Sequence, residues 1–181
     1  MDELRNRFEA TLLPHIDASY NLARWIVRDA AVADDMVQES LLRALRYFSR
    51  CRESNVRPWL LTIVRHTCFA WLKSHRQGEL HDYSLDQMDL ENIPDKTDCN
   101  PETLAIRKGE EAMLQEAIAA LPVVFREAII LREFEDLSYR EIAQIAGVPI
   151  GTVMSRLARA RRLLFQSLGA INRAAEWEAL R

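Results

Sequence analysis

Between Leu137 and Leu164 the chain reads LSYREIAQIAGVPIGTVMSRLARARRLL, and no other stretch limits its possible folds as strongly. The Ser138 hydroxyl is placed to cap a helix, and Glu141, three residues on, reaches back to complete a capping box. Ile142, Ala143, Ile145 and Ala146 supply an apolar face, and Gly147 stands where a left-handed residue would close the helix and turn the chain. Pro149 suits the first turn of a second helix. In that helix Val153, Leu157, Ala160 and Leu164 recur at three- and four-residue steps and are expected to face a core. Thr152, Ser155, Arg156, Arg159 and Arg162 are expected on the other side. Two short helices meeting at a tight turn, the second dense in arginine, make a helix-turn-helix. An outward row of hydroxyls and guanidiniums suits base edges and phosphates. A charge run taken alone marks a solvated face more often than a ligand surface; cap, turn and spacing together point here to DNA.

The net charge of −3 runs against nucleic-acid binding until it is resolved along the chain. Residues 1–76 hold 12 Lys/Arg against 9 Asp/Glu, residues 77–104 hold 1 against 8, and residues 105–181 hold 11 against 10. The acidity therefore sits in the middle. Within 43–76, 8 basic residues face Glu53 alone, a second basic patch able to neutralise phosphates. Cys51, Cys68 and Cys99 lack a paired CxxC spacing, which with no signal peptide predicts a reducing, cytoplasmic setting. No apolar run approaches the ~20 residues of a membrane span.

Apolar residues recur at helical spacing over Leu4–Ile16, Ala18–Arg28, Ala33–Phe48 and Arg57–Ser74. They recur again over Pro101–Ala120, Pro122–Glu133, Ser138–Ala146 and Ile150–Leu168, with no alternating strand pattern. The expected fold is all-α, with two small helical domains. Residues 1–76 form the first and 105–181 the helix-turn-helix domain, joined by an acidic, turn-rich, flexible linker at 77–104. Such a tether would let the domains act at separated sites. His66, Cys68, His75 and Cys51 show no zinc-ligand spacing, and no glycine-rich phosphate loop, G-x-S-x-G or H-E-x-x-H is present. No metal, cofactor, small-molecule substrate or enzymatic activity is expected; Cys68 reads as a small core residue.

Three ordered segments resemble the extracytoplasmic-function (ECF) sigma factors of the sigma-70 family, two-domain bacterial transcription initiation factors. Asp35–Ala44 (DMVQESLLRA) resembles the family's D-L-V-Q-E-T-F-L-R-A helix, Arg57–His66 (RPWLLTIVRH) is similar to R-A-W-L-Y-R-I-A-R-N, and Leu121–Leu164 follows the second domain. By itself the first segment is an amphipathic helix with Asp35, Gln38, Glu39 and Arg43 on a polar face and Val37, Leu41 and Leu45 opposite. The resemblance implies that Asp35, Gln38, Glu39, Leu41, Leu42 and Arg43 dock on core RNA polymerase, Leu41 standing where the family usually has Phe. It implies that Cys51, Arg52, Trp59, Ile63, Arg65 and His66 read and melt the minus-10 element by capturing an extruded base. Unstacking costs a few kcal/mol per base, which such a pocket must offset. His66 replaces the usual Asn, and Cys51 stands where an aromatic is common. It further implies that Arg140, Gly151, Thr152, Met154, Ser155, Arg156 and Arg159 lie on the minus-35 element, Met154 replacing a common basic residue. The implied partners are core polymerase, promoter DNA and an anti-sigma factor, often membrane-bound, that wedges between the domains. An autonomous helix-turn-helix regulator, binding its operator without polymerase, is the alternative.

Overall fold

The computed structural model describes residues 2–48, 55–75 and 106–179, with side chains placed over 6–48, 55–75 and 111–169. Every described element is helical. Helix α1 (Asp2–Leu12) passes through a 3-10 turn at Leu13–His15 into α2 (Ile16–Val27). Pro14 opens that turn and lacks the N–H that a continuous helix would use. Arg28 closes α2 in a left-handed conformation (φ 62°), its N–H bonded to the Arg24 carbonyl. The extended Asp29 then caps α3 (Ala30–Tyr47), its carboxylate accepting from Val32 N at 3.0 Å. Because of that cap and the helix-forming Ala30 and Ala31, α3 starts three residues ahead of the expected Ala33.

Helix α4 (Val56–His75) completes the first half. The second half holds α5 (Ile106–Ala120), α6 (Val123–Ile129), α7 (Tyr139–Ala146) and α8 (Ile150–Ala179). The Arg126 guanidinium fastens the α5–α6 junction by donating to the carbonyls of Ala119 (2.5 Å) and Leu121 (3.2 Å). Helix α6 widens into a π-turn over Ile130–Phe134, closed by Glu135 N donating to the Ile130 carbonyl at 3.1 Å.

Helices α2, α3 and α4 pack together around Leu22, Ile26, Leu60, Leu61 and Val64, all buried. Helices α6, α7 and α8 do the same around Val124, Ile142, Ile145, Val153 and Leu157. Burying one such side chain stabilises by about 1.5–3 kcal/mol. The two clusters are continuous: α4 lies against α7 and α2 against α6, so residues from both halves share one core. The all-α fold of two helical domains is as the sequence predicts, and in this structure the two pack against each other. The boundaries at 76 and 104–105, the 77–104 linker, Cys51, Arg52 and Cys99 lie outside the described residues. No described helix is long and apolar enough to cross a membrane.

Candidate nucleic-acid interface

The turn between α7 and α8 is built as its residues dictate. Ser138 Oγ accepts from Glu141 N at 3.3 Å, while Glu141 Oε2 accepts from Ser138 N at 2.8 Å and from Ser138 Oγ at 2.6 Å. Those bonds favour the ionised carboxylate and hold the Glu141 pKa below its ordinary value. Gly147 ends α7 at φ 66°, where a Cβ would meet nothing within 4 Å; the demand for glycine is conformational, not steric. Val148 N bonds the Ala143 carbonyl, and Pro149 lies just before α8, its carbonyl accepting from Thr152 N at 2.9 Å.

On α8, Val153, Leu157 and Ala160 are buried as expected, and Leu164 is half-buried. Ile150, Gly151, Met154, Ser155 and Arg162 face solvent, with Thr152 and Arg159 half-exposed, and Arg140 is exposed on α7. A DNA major groove, about 12 Å wide, admits a single α-helix. Arg161 is tied to Glu133 at 2.8 Å on the surface.

Arg156 departs from the expected outward row: it is 5% exposed. The reason is its spacing. Position 156 lies three residues after Val153 and four before Ala160, on the core stripe itself. Its charge is accommodated by Glu127 of α6, which lines the same tight crevice together with Ile142, Ala146 and Val153. Glu127 is 1% exposed, and its Oε1 accepts from Arg65 Nε of α4. Burial drives the Glu127 pKa up, against the pull of Arg65 and, more weakly, of Arg156. Arg156 in turn is lowered by burial. Among the described residues, Glu127 Oε2 and Arg156 Nε have no hydrogen-bond partner.

Helix α4 therefore has one side toward solvent and another toward the second half. Trp59 and Ile63 are half-buried and His66 exposed, falling at i, i+4 and i+7 on one side. Desolvation and the adjacent Arg65 charge lower the His66 pKa below its ordinary value. Arg65, with its side chain 14% exposed, points away toward Glu127 and lies 4.4 Å over the Phe69 ring. Arg57 reaches the second half too, Nη2 donating to Glu135 Oε2 at 2.7 Å while Asn21 Nδ2 donates to Glu135 Oε1 at 2.6 Å. Cys68 is fully buried, its thiol pushed up to about 12 by desolvation and by the Glu127 charge.

On α3, Asp35, Gln38, Glu39, Leu42 and Arg43 are exposed and Leu41 half-buried, with Glu39 and Arg43 paired at 2.5 Å. Ala33, Met36, Val37, Ser40 and Ala44 form the buried stripe. Leu45, expected on the apolar face with Val37 and Leu41, is 46% exposed; beside Leu42 (63%) and Tyr47 (55%) it extends an apolar surface. Glu127, Glu135 and Arg57 escaped the sequence reading. A lone acid inside the apolar run VVFREAIIL was the available sign of Glu127.

Residues 13–77 match the family described as Sigma-70 region 2, and residues 111–164 the one described as Sigma-70, region 4. The RNA polymerase sigma-H factor of Pseudomonas aeruginosa is 32% identical over 179 residues, covering 94% of this chain and 91% of its own. The chain belongs to the ECF sigma factors of the sigma-70 family. The ECF RNA polymerase sigma factor SigE of Mycolicibacterium smegmatis is 33% identical over 150 residues, 83% of this chain; the match spans 57% of that relative's length. Among solved structures, the sigma factor RpoE of Bartonella quintana, crystallised with the anti-sigma factor NepR, superposes with a TM-score of 0.67 at 26% identity. That match covers 90% of this sigma factor and 97% of the other chain. These likenesses favour a sigma factor over an autonomous helix-turn-helix regulator, and the family is not one of enzymes.

Proposed function

We propose that this ECF sigma factor works in the cytoplasm, bringing core RNA polymerase to promoters through three separate surfaces. The exposed α3 face of Asp35, Gln38, Glu39, Leu42 and Arg43, with Leu41 at its edge and Leu45 and Tyr47 extending it, docks on polymerase. Arg140 and the α8 face of Gly151, Thr152, Met154, Ser155 and Arg159 enter the major groove at the minus-35 element. Trp59, Ile63 and His66 of α4, together with Cys51 and Arg52, take the minus-10 element, while Arg65 and Arg156 join their DNA surfaces only once released from Glu127. Residues 1–76 and 105–181 act as the two domains, joined by the acidic 77–104 segment as tether. An anti-sigma factor is the proposed inhibitor, by likeness to the Bartonella sigma factor.

One observation supports this reading most: α8 leaves a capped, glycine-closed turn with Gly151, Met154 and Ser155 all turned to solvent. The test is multi-round transcription from fragmented genomic DNA with purified core polymerase, mapping new RNA 5′ ends. New ends that share two upstream motifs are expected. Absence of new ends, with the chain alone shifting DNA fragments, would return the reading to an autonomous regulator.

A further inference from the structure

The solvent side of α8 is divided along its length. Ile150, Met154 and Ala158, at four-residue steps, make one edge, and all three are exposed, Ile150 by 46% and Met154 by 54%. Thr152, Ser155 and Arg159 make the other edge. Gly151 lies between the two with open space where a Cβ would stand, so no side chain there keeps the backbone from a base edge. The first turns of a recognition helix are the part that reaches bases, and over Ile150–Leu157 the one cationic side chain is Arg156, which is buried. While Arg156 stays buried, these two turns hold no bidentate fork for guanine. The Ser155 hydroxyl donates to the Thr152 carbonyl at 3.0 Å, which leaves its oxygen as an acceptor toward DNA. This surface therefore offers a groove apolar contact beside an acceptor. The apolar group of the major groove is the thymine C5-methyl, and the adenine paired with it presents an N6 amine that an acceptor can take.

We propose that Ile150 and Met154 are specificity-determining residues that read thymine C5-methyl groups in the minus-35 element. The inference rests on the assignment of α8 to that element. One helical turn separates the two side chains, about 6 Å along the axis, against about 3.4 Å for each base step. The thymines they read therefore lie one or two steps apart. Discrimination here comes from a methyl group and not from a charged fork, so it survives the neutral character of these first two turns.

Transcription mapping fixes the minus-35 element, and the test is then made on that promoter as a synthetic, fluorescein-labelled duplex of unmodified bases. Holoenzyme assembled from core polymerase and the full chain binds it at one fixed salt concentration, read by anisotropy. Each thymine of the element is replaced in turn by deoxyuridine, which lacks the methyl and keeps every hydrogen-bonding group. Wild type is expected to lose about fourfold in affinity at one or two of these positions, the worth of withdrawing one methyl from apolar contact. With Ile150→Ala or Met154→Ala the loss at one of those positions is expected to vanish, whereas Leu114→Ala, at an exposed apolar position of α5, should keep it. All three truncate surface side chains, so an unmoved melting temperature confirms an intact fold. Deoxyuridine without effect at every thymine would overturn the proposal, as would an element without thymine, or a loss of equal size in wild type and in both variants of α8. Arg159→Ala on the same duplex keeps the two readings apart. A weakened Arg159→Ala complex with no methyl effect removes this inference alone, whereas failure of wild type to initiate removes the assignment of α8 and the inference with it.

Discussion

Ser138→Ala removes the side chain that starts α7, and the structure sets both the size and the form of the loss. The Oγ acceptor at 3.3 Å from Glu141 N is a long hydrogen bond, whereas its donation to Glu141 Oε2 at 2.6 Å is short. Together they are expected to contribute about 1 kcal/mol, the usual worth of an N-cap. The melting temperature then tells whether the halves unfold together. A cooperative unit of this size moves by about 2–4 °C per kcal/mol, whereas an independent helix-turn-helix domain would move by about 4–8 °C. Because both halves share one core, a single calorimetric transition shifted by about 2–4 °C is expected. A two-step melt in which only one step moves would refute the shared core, and an unmoved melt would refute the cap. The pH dependence has a definite sign. Glu141 is held below its ordinary value, so its stabilisation is complete above about 4.5 and lost as pH falls through the folded value. The gap between wild type and Glu141→Gln should close on acidification, as followed by denaturant midpoints.

Leu42→Asp places a charge at the centre of the exposed α3 surface and should abolish capture of core polymerase in a pull-down, leaving the melting temperature within about 1 °C because nothing buried is lost. Arg159→Ala should weaken promoter binding by the assembled holoenzyme by about 1–3 kcal/mol, the worth of one base or phosphate contact. An unchanged footprint across a salt titration would exclude that contact. Leu157→Ala, at 1% exposure, should cost about 2–5 kcal/mol in urea denaturation. A loss under 1 kcal/mol would mean that α8 is not packed as described.

Local chemistry made the second half legible in the sequence. Ser138 and Glu141 can hardly do other than cap, Gly147 adopts the conformation its type permits, and Val153, Leu157 and Ala160 follow the helical period. Arg156 is the exception, because its charge calls for water while its spacing puts it inside. What lets it stay inside is Glu127, some thirty positions earlier in the chain, and no local pattern encodes that pairing. Leu45 failed in the opposite sense, an apolar residue one step off the stripe set by Ala33, Val37, Ser40 and Ala44. The docking of α4 on α7 was illegible for a similar reason: complementarity between two amphipathic surfaces is a property of both together. Family resemblance implies roles for particular residues, and the structure shows which of these face solvent in the packed chain.

The π-turn at Ile130–Phe134 works as a phase adjuster. Each α-helical residue advances the direction of its side chain by about 100°, and a turn closed from residue i to i+5 carries one residue more than the helix around it. That additional residue decides which way Phe134 and Glu135 point, and it sets the start of Leu137–Ser138. Deleting one residue here would leave every cap and apolar stripe of α7 and α8 intact, yet swing Phe134 and Glu135 by about a quarter-turn relative to α6. Lengths in this short segment are therefore under a constraint that composition is not: many side chains would pack, but only one count of residues lets Glu135 meet Arg57.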